Sequence, residues 1–187
     1  RPGNAHTADG ALSELSTYLD WIEKNLAWQV TVRGDAGFPA DDLLCLLEQR
    51  LRPASYVFRI RNYGPLRHMA RPFIERYLQD LGQRPDEMRQ EGFRAYELSY
   101  QAKNWKQCRR VVLIIVPPEE GELLPRSFFL ITNFGATAMP AAELLALYRQ
   151  RGTYEQQLGD FMNTLTPHLS STTRPKRHYR GQTPRQR

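Results

Sequence analysis

The strongest constraint on the fold is a change of rhythm near residue 62. Before it, helix-like and strand-like segments alternate. After Phe93 come three strand-like runs, FRAYELSYQA, RRVVLIIVP and SFFLITNF. The loops between them are short and polar or contain Gly and Pro, leaving no room for crossover helices, so these strands are expected to be antiparallel. The front of the chain reads differently. Leu12, Leu15, Leu19, Ile22 and Leu26 recur every three or four residues, which predicts a helix over 9–27 with Asp9 able to cap it. AWQVTVR follows as a strand with Trp28, Val30 and Val32 on one face. A second helix is expected in GDAGFPADDLLCLLEQRL, with Pro39 in its first turn, Asp41 and Asp42 at its positive end, and Leu43, Leu44, Leu46, Leu47 and Leu51 buried. SYVFRIRN gives a second strand. Helix–strand–helix–strand order implies α/β organisation with parallel strands. The later strands form either an inserted antiparallel lobe or an extension of the main sheet. Residues 70–81 read as a helix, GQRPDEMRQEG as a loop, and MPAAELLALYRQRGTYEQQLGDFMNTL as a closing helix with an apolar stripe at Leu144, Leu147, Leu158, Phe161 and Leu165. Gly152 interrupts it, at a cost of roughly 1 kcal/mol relative to Ala.

Charge is unevenly placed. The net charge is +6, and the 22 residues 166–187 hold six Lys or Arg, three Pro and no acid; the rest carries 20 basic and 20 acidic residues. Such a tail is expected to be extended when alone and to contact nucleic-acid phosphates, through Lys176, Arg177 and Arg180 among others, or else merely to solubilise the chain. Cys45 and Cys108 are too few and too far apart for a disulfide or zinc framework, and Cys45 reads as a core side chain. No apolar run reaches 18 residues, and RPGNAHTADG has no apolar stretch to make a signal peptide. A reducing, cytoplasmic setting with no membrane partner is expected.

Three constellations carry possible chemistry. In VTVRGDAGFP, Asp35 follows a strand and stands between Gly34 and Gly37. The C-terminal ends of strands are where open α/β sheets carry chemistry, but strand–Gly–Asp is also an ordinary turn. Tyr148, Arg151 and Glu155, spaced by three and four, share one helix face. Arg151 and Glu155 could be a plain surface ion pair. Alternatively, Glu155 ligates a metal while Tyr148 and Arg151 hold a phosphate or orient the carboxylate. Asp35 and Glu155 together suit Mg²⁺ or Mn²⁺, hard ions that bind oxygen ligands and phosphates. A third, bridging carboxylate is not evident. In KNWKQCRR, Lys103, Lys106, Arg109 and Arg110 surround Trp105 without an acid. An exposed indole there could stack on a base while the cations hold phosphates; a buried one would be core. The four histidines show no zinc spacing.

Taken in order, RPGNAHTADGA, VTVRGDAGF, Trp105 with RRVV, LYRQRGTYEQ and LSSTTRPKRHYRG resemble a bacterial DDE-type insertion-sequence transposase of the group with a Tyr–Arg–Glu–Lys signature. The resemblance implies an RNase H-like core interrupted by a mostly β insertion, and magnesium-dependent cleavage and joining of DNA ends. It implies that Asp35 is the second catalytic aspartate, Glu155 the glutamate, and Tyr148, Arg151 and Glu155 the signature; its lysine would fall at Met162. It further implies that Trp105 stacks on a base flipped from the DNA end. The family's first aspartate would lie upstream of residue 1. The chain is therefore expected to be a fragment, truncated at the N-terminus and towards the C-terminus, and inactive by itself. The expected division is 1–65 and 137–166 for the core, 66–136 for the β-rich insertion and 167–187 for the basic tail. Partners would be double-stranded DNA at the transposon ends and, for the intact protein, a second copy. Two other readings stay open: a non-catalytic DNA-binding remnant and a general RNase H-like nuclease.

Overall fold

A computed structural model of the protein describes residues 10–26 and 28–150, all within Arg1–Arg151, the larger of two compact units. The helices are α1 (Ala11–Asn25), α2 (Asp41–Glu48), α3 (Gly64–Gln83) and α4 (Pro85–Glu91). The strands are β1 (Thr31–Gly34), β2 (Ser55–Ile60), β3 (Arg94–Tyr100), β4 (Arg109–Val116) and β5 (Arg126–Thr132). A further helix, α5, runs through 141–150.

The strands form one open mixed sheet in the order β1-β2-β5-β4-β3. β1 and β2 are parallel, with Gly34 opposite Phe58, as helix–strand alternation predicts. The other pairings are antiparallel. Of the two arrangements open to the later strands, they extend the main sheet: β5 pairs with β2 although about seventy residues separate them in sequence.

Apolar packing explains this join. In β4, Val111 to Ile115 are all fully buried, because helices cover the sheet on both faces. On one face, Phe58, Ile60, Leu113, Ile115 and Phe129 pack with Leu44 and Leu47 of α2 and with Leu66, Ala70 and Tyr77 of α3. On the other face, Val57, Val112, Ile114 and Leu130 pack with Leu144 and Leu145 of α5. Each fully buried Leu or Ile contributes about 2 kcal/mol against exposure, so severing β5 from β2 would cost several times that.

The structure corrects several local expectations. GQRPDEMRQEG contains α4 rather than a loop: Pro85 opens the helix, Asp86 and Glu87 sit at its positive end, and Met88 is buried. The helix expected at 70–81 starts earlier, at Gly64, where Pro65 suits the first turn; Pro72 lies inside it. α2 ends at Glu48, so Leu51 lies beyond the helix and is exposed rather than buried. β1 is shorter than AWQVTVR, and Trp28 is exposed. α1 begins after Gly10, which adopts a left-handed conformation (φ 77°); Asp9 lies outside the described residues, as do Leu158, Phe161, Leu165 and Gly152. Cys45 is buried, as expected for a core side chain.

Candidate functional site

Asp35 follows the last residue of β1. A Cβ on Gly34 would lie 2.6 Å from two carbons of the Phe58 ring, so this glycine lets neighbouring strands and the ring close up. Gly37 has no atom within 4 Å of such a Cβ and no positive φ. The turn thus needs Gly34 for packing, and neither glycine is used for an unusual backbone conformation. Asp35 is half-buried. Its Oδ1 accepts the Ala36 N–H at 2.8 Å, and its carbonyl accepts the Phe38 N–H at 3.1 Å. The carboxylate is therefore anchored by its own turn.

The neighbouring Arg33 ties this strand end to α5. Its guanidinium donates to the Leu147 carbonyl at 3.0 Å and to Gln150 Oε1 at 3.3 Å. Tyr148 is half-buried in the same helix, with its ring 6.4 Å from that of Phe128. Arg151 and Glu155 lie outside the described residues, as do Lys176, Arg177 and Arg180.

The KNWKQCRR segment divides into exposed and structural parts. Lys103 and Lys106 are exposed. Trp105 is 7% exposed, edge-on to Tyr100 at 5.5 Å and 5.3 Å from the Arg109 guanidinium. Arg109 is 4% exposed; it donates to Asp41 at 2.8 Å and to both Glu48 oxygens at 2.8 and 2.9 Å. Arg110 pairs with Glu97 and donates to the Phe134 and Met139 carbonyls. The expectation of four free cations is thus corrected: two remain at the surface. The reason is register. Tyr100 opposite Arg109 turns Arg109 onto the face that α2 covers, where two acids of α2 meet it.

This network perturbs its members. Desolvation raises the Asp41 pKa, but hydrogen bonds from Arg109 and the Lys106 amide outweigh it and hold the carboxyl below its usual value. Burial, reinforced by the hydrogen bond to Glu48 at 2.6 Å, pushes the Tyr56 phenol upward. Desolvation opposes the charge on Arg109, yet the bonds to Glu48 and Asp41 prevail and raise its pKa.

Although buried, Trp105 lines a cavity of about 240 Å³ with Asn104, Arg61, Tyr63, Gly37 and Pro39. The Asp35 turn therefore forms part of its wall. Sequence reasoning missed Arg33, Asp41, Glu48 and Arg61 as parts of this region. Arg33 carried no signal, since it takes the ordinary polar place in the Val30–Thr31–Val32–Arg33 alternation. The carboxylates of α2, Asp41 at its start and Glu48 at its end, carried none either, because a charged helix residue looks the same in sequence whether solvated or paired.

A mixed α/β protein with an open sheet and an aspartate at the end of a parallel strand is thereby defined. The chain belongs to the transposase DDE domain group 1 family, which it matches over residues 1–175. No curated protein and no solved structure matches it. Membership is consistent with nuclease or recombinase chemistry on DNA in general, and with the divalent-metal dependence of such enzymes. Among the described residues, no group of three or more His, Cys, Asp or Glu side chains is placed to hold a metal ion, and no helix is long and apolar enough to cross a membrane.

Proposed function

We propose that this chain carries two carboxylates of an insertion-sequence transposase, Asp35 and Glu155, on an RNase H-like core. Residues 66–136 supply strands that extend the core sheet in place of a separate inserted lobe. The observation that carries this reading is the anchoring of α5 by Arg33, two residues before Asp35 on the same chain segment. It fixes the turn of α5 containing Leu147 and Gln150 to the strand that leads into Asp35.

The donor chemistry fits a hard cation. Asp35 is a half-buried carboxylate at a strand end, one of whose oxygens already accepts a backbone amide. Asp35 and Glu155 would hold Mg²⁺ or Mn²⁺, which when bound would stabilise charge on an attacked phosphodiester. In the intact protein the family's first aspartate would supply a third carboxylate. Tyr148 and Arg151 orient Glu155 or hold a phosphate. Lys103, Lys106, Lys176, Arg177 and Arg180 contact double-stranded DNA at the transposon ends, while Arg109 acts from inside by packing on Trp105 and Arg110 is held by Glu97 and the Phe134 and Met139 carbonyls. Trp105 itself is a core side chain, but the cavity it lines with Arg61 and Tyr63 supports a subsite for a base turned out of the duplex, bounded by the Asp35 turn. The intact enzyme would work as a dimer.

A second reading, DNA binding without cleavage, rests on the exposed Lys103 and Lys106 of the basic segment. Calorimetric titration of Mg²⁺ into the wild-type chain, Asp35→Asn and Glu155→Gln separates the two. Saturable binding lost in both variants supports the transposase site. Heat indistinguishable from buffer in all three, together with salt-sensitive DNA binding, supports the non-catalytic reading.

A further inference from the structure

A second cationic feature lies on the α5 face of the sheet, outside the residues assigned above. Arg59, Arg126 and Arg149 line a groove of about 480 Å³ with Val116, Ser127 and Phe128. Register explains how they meet. Arg59 belongs to the face of β2 that carries Val57, and β5 presents Leu130 and Phe128 on that same face. Arg126 starts β5, opposite Val116. Arg149 projects from α5, which packs there through Leu144 and Leu145.

The arginines are not equivalent. Arg126 pairs with Glu119 and Glu122, so its charge is already compensated. Arg59 and Arg149 are exposed, and among the described residues no carboxylate pairs with either. The Arg59 guanidinium lies 5.3 Å from the centre of the Phe128 ring, which steadies a long side chain and reduces the entropy lost on binding an anion. Two guanidiniums in one groove, without a carboxylate partner among the described residues, raise the local potential and present paired donors suited to phosphate oxygens.

The groove also lies at a telling level of the sheet. Gly34 and Phe58 are partners; Asp35 directly follows Gly34, and Arg59 directly follows Phe58. We infer that Arg59 and Arg149 form a backbone-phosphate subsite that grips DNA beside the Asp35 strand end. This inference rests on the reading that the protein acts on DNA. The subsite positions the duplex and reads no base, so its contribution is independent of sequence and weakens with salt.

The test measures duplex binding by the full chain across a range of salt concentrations. Arg59→Gln and Arg149→Gln are compared with Arg67→Gln, which removes an exposed charge from α3 on the opposite face. Thermal unfolding of each variant confirms its fold. The expected result is roughly tenfold weaker binding for each groove variant, with the log–log salt slope reduced by about one, and unchanged binding for Arg67→Gln. Equal weakening in all three, or binding indifferent to both groove substitutions, overturns the subsite while leaving the DNA reading intact. Failure of the wild type to bind any duplex overturns both. Titration of inorganic phosphate, followed by the Arg59 and Arg149 side-chain NMR signals, separates the remaining source: shifts with phosphate but no DNA binding would mark a small-anion pocket and refute the inference.

Discussion

Arg109 and Arg59 are the same residue type on opposite faces of one sheet, and they serve opposite ends. Arg109 is almost fully buried, ringed by Asp41, Glu48 and the Trp105 face; its donors are committed inside the protein. Arg59 is exposed, rests near Phe128 and meets no carboxylate among the described residues. A cation becomes structural when its strand register delivers it to acids under a helix. It stays available for an outside anion when the same register delivers it to an aromatic surface in solvent. Basic residues in a DNA-acting family therefore have to be sorted by face before they are counted.

The largest expected effect comes from breaking the inner cluster. Arg109→Ala strands two partly buried carboxylates and should destabilise the fold by about 3 kcal/mol, read as a lower urea midpoint with little change in slope. Arg59→Ala should leave that midpoint nearly unmoved. If the two substitutions destabilise equally, the distinction fails.

Next is Gly34→Ala. Its new methyl must displace the Phe58 ring, at about 1–3 kcal/mol. The second substitution Phe58→Leu should recover part of the loss, and an additive double mutant would show that the ring is not the obstacle.

The acid limb offers a smaller, pH-dependent effect. Because Asp41 has a lowered pKa in the fold, its contribution is present above its unfolded value, about 4, and is lost as pH falls through the lower folded value. Asp41→Asn should thus be less stable than wild type at neutral pH, with the gap closing below pH 4. A gap that widens on acidification would reverse the assignment.

The smallest effect is expected at Arg71, whose ion pair with Glu75 lies in solvent. Arg71→Gln should leave the urea midpoint where the wild type has it.

These contrasts also show what the sequence can and cannot convey. The parallel β1–β2 pair was legible because helices separate the strands, and the antiparallel run because its loops leave no room for a crossover. Whether that run stood apart or joined the main sheet was not legible: the join depends on β5 pairing with a strand about seventy residues away, and no local pattern encodes it. α4 was hidden by its charges, which look like a loop until Pro85 is recognised as a helix start. At the site, Asp35 was visible at the end of its strand. In Arg109–Arg110, however, β4 is apolar on both faces, so alternation cannot tell which arginine turns inward. Arg59 was likewise invisible as a ligand, since its groove is assembled from β2, β5 and α5.

The most direct test of the central proposal is an Mn²⁺ titration followed by paramagnetic broadening of backbone amide NMR signals. We expect saturable broadening centred on Ala36 and the residues around Glu155, abolished by either Asp35→Asn or Glu155→Gln. Broadening centred elsewhere, or unchanged in either variant, would contradict the assignment of these two carboxylates to one metal site.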